Sequence, residues 1–200
     1  MRRLTYFCLS LTVLFLLCGC SEMSRNEKLE TNWSFQTETG QSFNIVEIQH
    51  LMEKYIKDHD EEDAIFADYK EAVIDPIYND CFLDGEFLHI AEDVLSHNPE
   101  NFDKLQRAIE RMNSKEVKDN LSEALELSAA ALPIEKEINV CLLPVSYPGF
   151  GMAVGSDKIL ILFDEYLSID RFKVTLAHEY HHSAWQAAYR GPSEKWTVLD

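Results

Sequence analysis

His178-Glu179-Tyr180-His181-His182 constrains this chain more than any other stretch, because its pattern has chemical meaning only on a helix. Residues four apart on an α-helix lie on one face, one turn from each other, so His178 and His182 can aim both imidazoles at a single point. Glu179 falls on the neighbouring flank. The surrounding sequence favours the helix: Ser168 is the expected N-cap, and Asp170 sits in the first turn, where the helix dipole favours an anion. Gly191-Pro192 supplies the stop.

Two histidines and a glutamate so spaced form the H-E-x-x-H motif, in which the histidines are metal ligands and the glutamate serves as general base. His178 and His182 are therefore the expected zinc ligands and Glu179 the expected catalytic base. His181 lies off the ligand face and reads as a surface or supporting residue. The competing reading is an ordinary pair of helix-surface histidines. A metzincin site would continue with Gly at 185 and His at 188. The chain has Trp185 and Ala188, which excludes that class.

The front of the chain has a different character. Met1-Arg2-Arg3 and the apolar run over residues 4–17 form a secretory signal too short to span a bilayer comfortably. The run ends in Leu17-Cys18-Gly19-Cys20, which resembles a bacterial lipobox, with cleavage before Cys20 and lipid attached to it. The expected organisation is a signal peptide over residues 1–19, a polar tether over 20–43, an acidic helical region over 44–135, and strands plus the motif helix over 136–200. The destination is then the extracytoplasmic face of the cell membrane, with the lipid as the only membrane contact.

Loss of Arg2 and Arg3 with the signal takes the formal charge from −17 to −19. That acidity argues against nucleic acid as a partner and against a basic membrane-binding patch. With Cys8 and Cys18 removed and Cys20 lipidated, only Cys81 and Cys141 remain. An oxidising compartment permits a disulfide between them, but Cys141 lies in the apolar run Ile138-Asn139-Val140-Cys141-Leu142-Leu143, where a buried thiol is equally natural. Free or buried thiols are expected.

Apolar periodicity predicts a helix over residues 44–57 (Ile45, Ile48, Met52, Tyr55) and another over 63–74 ending at Asp75-Pro76. The acidic run over 58–63 between them reads as a solvated loop and helix start, with a calcium site as the lesser alternative. Asn98-Pro99 is the expected start of a helix carrying Phe102, Leu105, Ile109 and Met112. Asn113 with Glu116 forms a capping box for the next, which carries Val117, Leu121 and Leu125. His50, His59, His89 and His97 have no metal-ligand spacing. Residues 137–145 and 158–163 read as strands. The glycine-containing segment between them is either a plain connection or an accessible strand edge to which an extended peptide could add.

The fold class expected is α+β, a zincin-like metallopeptidase domain, mostly helical with a small sheet before the motif helix. The lipobox, the acidic helical region, residues 149–163 and Leu176-Ala177-His178-Glu179-Tyr180-His181-His182 together resemble the predicted zinc-dependent proteases of YjaZ type, bacterial proteins on the gluzincin side of the zincins. The resemblance implies a Zn²⁺ cofactor, a peptide or protein substrate and a third ligand, Glu, on a second helix. That Glu is expected just beyond Lys195-Trp196-Thr197-Val198-Leu199-Asp200, so the chain reads as ending before it. Glu194 lies too near the Gly191-Pro192 turn for a comfortable ligand, and Asp200 is the last residue.

With all ligands in place, zinc would acidify its water and Glu179 would take the proton as that water attacks a peptide carbonyl. No oxyanion donor besides the metal is assigned: Tyr147 and Tyr189 are candidates, and each reads more readily as a packing aromatic. Three functions fit these parts: a membrane-anchored zinc metallopeptidase, a non-catalytic surface lipoprotein with a degenerate or truncated site, and a zinc hydrolase acting on a cell-wall amide.

Overall fold

The computed structural model describes residues 32–62, 64–82, 96–134 and 136–189. Its centre is a five-stranded sheet of order β1-β2-β3-β5-β4, built from β1 (Trp33–Gln36), β2 (Ser42–Glu47), β3 (Ile138–Pro144), β4 (Gly151–Ala153) and β5 (Lys158–Phe163). The three middle strands β2, β3 and β5 run parallel, and the outer strands β1 and β4 are each antiparallel to their neighbour. The mixture of helices and strands is α+β, as expected.

Helices cover both sheet faces. On one face Val46, Cys141, Leu143, Leu160 and Leu162 pack against α1 (Gln49–Asp58), α2 (Phe66–Tyr69), α3 (Asp75–Cys81) and part of α4 (Phe102–Met112). On the other, Phe43, Ile45, Val140, Leu142, Ile159 and Ile161 pack against α5 (Lys115–Ala131) and α6 (Ile169–Tyr189). Strands buried on both faces cannot alternate with polar residues, which is why Lys158-Ile159-Leu160-Ile161-Leu162-Phe163 is apolar throughout after its first residue. Each such side chain contributes roughly 1.5–3 kcal/mol by leaving water.

Several local expectations are corrected. Residues 33–36 and 42–47 are strands, so ordered sheet begins inside the stretch expected to be tether, and helix begins only at Gln49. Alternation in Trp33-Ser34-Phe35 and Phe43-Asn44-Ile45 carries the strand signal; Ile45 happens also to fit the helical period of Ile48, Met52 and Tyr55. The helix expected to end at Asp75-Pro76 continues through it. A π-turn over Lys70–Ile74 precedes the proline, with the Asp75 N–H bonded to the Lys70 carbonyl, and Pro76 follows it in the first turn of α3. Asn98 and Pro99 lie in a short 3₁₀ turn, and the cap of α4 is Asn101, whose side chain accepts from the Lys104 N–H. The cap of α5 is Ser114, accepting from Val117, one residue past the expected Asn113.

Cys81 and Cys141 form a disulfide, with Cα atoms 5.8 Å apart, and not the free or merely buried thiols expected. Cys81 closes α3 and Cys141 lies in the middle of β3, so the bond ties a helical layer to the sheet centre. Packing of α3 on β3 brings together residues that spacing alone could not pair.

Candidate metal centre

Helix α6 starts where the sequence placed it. The Ser168 hydroxyl accepts from the Arg171 N–H, and the Ser168 carbonyl receives the Phe172 N–H. The loop leading into it is braced by α4: the Arg111 guanidinium donates to the Glu165 carbonyl at 2.9 Å, and Arg107 pairs with the Glu165 carboxylate, holding that carboxyl below its usual pKa range. Phe172, Leu176, Tyr180 and Ala184 form the buried stripe that fixes the helix on the sheet. Tyr180 is 1% exposed, its hydroxyl donates to the Leu132 carbonyl at 2.8 Å, and burial pushes its pKa up to about 12.

With the stripe inward, Val174, His178, His181, His182 and Trp185 come to the exposed side. The Nε2 atoms of His178 and His182 converge to 3.0 Å. Two nitrogens on one tetrahedral zinc, each ~2.0–2.1 Å from it, stand about 3.3 Å apart, so the two rings fit a shared zinc with little adjustment. His181 is exposed, its ring 6.2 Å from that of His182 and separate from the converging pair. Among the described residues no group of three His, Cys, Asp or Glu side chains comes together to hold a metal. Glu194, Asp200, Cys20 and the Tyr189 side chain lie outside the described residues.

Glu179 turns the other way, to the sheet edge. It is 7% exposed, and its Oε2 accepts the Ala153 N–H of β4 at 2.8 Å. Helix and strand come this close because residue 151 is glycine: a Cβ there would lie 2.5 Å from Thr175 Cγ2 and 2.8 Å from Glu179 Cγ. A second carboxylate locates the start of the strand. Buried Asp164 accepts the Gly149 N–H and the Tyr166 N–H, both at 2.6 Å, and so joins the approach to β4 to the turn that launches α6. Any Cβ at Gly149 would meet the Leu162 carbonyl oxygen.

Gly149, Gly151 and Ala153 lie in the glycine-containing segment for which a strand edge was one of two expectations, though no role toward Glu179 was attached to them. Asp164 was absent from the expected site, its signal being an acid directly after an apolar strand, too common to single out. Tyr147 is a packing aromatic: it lies against the α1–α3 layer, on the sheet face opposite α6. Its hydroxyl is buried without a partner, and burial raises its pKa.

The model of the family described as "Predicted Zn-dependent protease (DUF2268)" matches residues 102–200, from α4 through the motif helix. Over those residues the chain is similar to that family, whose description is of a predicted zinc-dependent protease. No curated protein and no solved structure gives a significant match.

Proposed function

We propose that the protein is a zincin-like, zinc-dependent metallopeptidase, exported and anchored by a lipid on Cys20 to the extracytoplasmic face of the cell membrane. The observations that carry this reading are the convergence of His178 and His182 on one turn of α6 and the hold of the adjoining Glu179 on the edge strand β4. His178 and His182 would hold the metal, with a third ligand, a carboxylate, supplied by the chain that follows α6. Zinc, when bound, supplies Lewis-acid polarisation of a carbonyl and acidifies water.

The residues of the chain do the rest. Glu179 takes a proton from the water that attacks the peptide carbonyl and returns it to the leaving amine. Among the described residues β4 pairs with β5 on one side only, which leaves its other side as an edge. An extended peptide can add there by main-chain hydrogen bonds, and this supports a peptide substrate over a cell-wall amide.

Full-length Glu179→Gln should keep zinc and lose hydrolysis of a peptide library, whereas His182→Ala should lose both. Wild-type zinc content without any hydrolysis would favour the non-catalytic lipoprotein. Cleavage of cell-wall fragments in place of peptides would favour the amide hydrolase. In a bacterial host the protein should label with fatty acid; label retained by Cys20→Ser would remove the lipid anchor.

A further inference from the structure

The backbone of β4 has two kinds of residue. The Val154 N–H reaches the Lys158 carbonyl and the Leu162 N–H reaches the Phe150 carbonyl, with Met152 opposite Leu160 between them. In an antiparallel pair the bonded positions alternate with unbonded ones. Gly151 and Ala153 are therefore the unbonded positions, and their N–H and C=O groups point away from β5, to the edge. The Ala153 N–H is not left for an incoming strand, because the Glu179 carboxylate holds it at 2.8 Å. A hydrogen bond to a charged acceptor is roughly twice as strong as a neutral one, so a peptide carbonyl competes poorly for the same donor.

Resting on the peptidase reading, we infer that the Ala153 N–H is a positioning donor for the catalytic base. It fixes Oε2 of Glu179, so that Oε1 is the oxygen that meets the attacking water. A substrate strand pairs with the Gly151 N–H and C=O and with the Ala153 C=O, and leaves the Ala153 N–H to Glu179. Water's oxygen bonds to the scissile carbonyl carbon as its proton moves to Oε1, and that proton passes to the amine nitrogen as the C–N bond breaks. Gly151 belongs to the same device, since any side chain there pushes the Glu179 methylenes off the strand.

Amide hydrogen exchange on the full chain tests the contact without metal or substrate. An outward edge N–H ordinarily exchanges fast. Ala153 should instead be protected, and Glu179→Ala should raise its rate tenfold or more while Val154, held by the ladder, is unchanged. The catalytic role is tested with Ala153→Pro, which removes this N–H and no ladder bond, on an edge strand where proline is tolerated. It should lower kcat about 100-fold, the order expected for a catalytic group misplaced by ~1 Å, with KM and zinc content unchanged. Gly151→Ala, which displaces the Glu179 methylenes, should also lower kcat with zinc content unchanged, and serves if the proline variant does not fold. A raised KM with kcat intact would mean that substrate uses this N–H, and would overturn the proposal. So would a freely exchanging Ala153 amide in an active enzyme, which leaves the peptidase reading standing. Protection at Ala153 in a zinc-loaded protein that hydrolyses nothing would overturn the peptidase reading and the positioning role with it.

Discussion

At the scale of residues, the site depends on a few polar atoms that the core tolerates because each has a partner. Glu179 and Asp164 are nearly buried carboxylates that accept main-chain N–H groups: Glu179 from Ala153 of the edge strand through Oε2, Asp164 from Gly149 before that strand and from Tyr166 in the turn before α6. The buried tyrosines follow another logic. Burial raises the phenol pKa of Tyr180 to about 12 and also raises those of Tyr55, Tyr69 and Tyr147. A folded-state pKa above the unfolded value of about 10 means that the folded form holds its proton longer. The stabilisation is complete below pH ~10 and is lost as pH rises towards 12. The melting temperature should fall steeply across that window, and Tyr180→Phe should make the fall shallower. An unchanged slope would show that Tyr180 ionises as freely in the folded protein as in the unfolded one.

At the scale of elements, legibility followed local pattern. The apolar faces of α4 and α5 were readable from their period, the runs of β3 and β5 from unbroken apolar length, and the Ser168 start of α6 from its capping side chain. β1 and β2 were not, because Ile45 fits a strand and a helix equally well until its neighbours across the sheet are known. β4 is three residues long, too short for any period, and its importance comes from α6 packed beside it. The caps slipped by three residues from Asn98 to Asn101 and by one from Asn113 to Ser114, where two nearby side chains can fill the same role. Ser114→Ala should cost about 1 kcal/mol in urea unfolding, the usual value of an N-cap side chain. Asn113→Ala should stay within about 0.5 kcal/mol. The reverse order would restore Asn113 as the cap.

At the scale of the whole molecule, a sheet sandwiched between helical layers supports a site at one edge, and the layers are joined covalently. The histidines and the glutamate of the motif were legible because one helix carries them all. The edge strand that holds Glu179 was not, because the contact crosses 26 positions. The Cys81–Cys141 bond closes a separation of 60 residues, which in the chain-entropy view stabilises by about 4 kcal/mol. Cys81→Ser should lower the denaturation midpoint, and reduction of the wild type should lower it by a similar amount. No change on reduction would mean that the thiols are unpaired in the native protein. Among the described residues no helix is long and apolar enough to cross a membrane, and the proposed anchor is the lipid on Cys20.

The central claim is that His178 and His182 hold a zinc ion, and X-ray absorption at the zinc edge of the purified full-length protein tests it most directly. Two imidazole nitrogens at about 2.0–2.1 Å, completed by oxygen donors, are predicted, with the imidazole signal lost in the His178→Ala, His182→Ala double variant. Zinc surrounded by oxygen alone, or an imidazole signal that survives the double substitution, would contradict it.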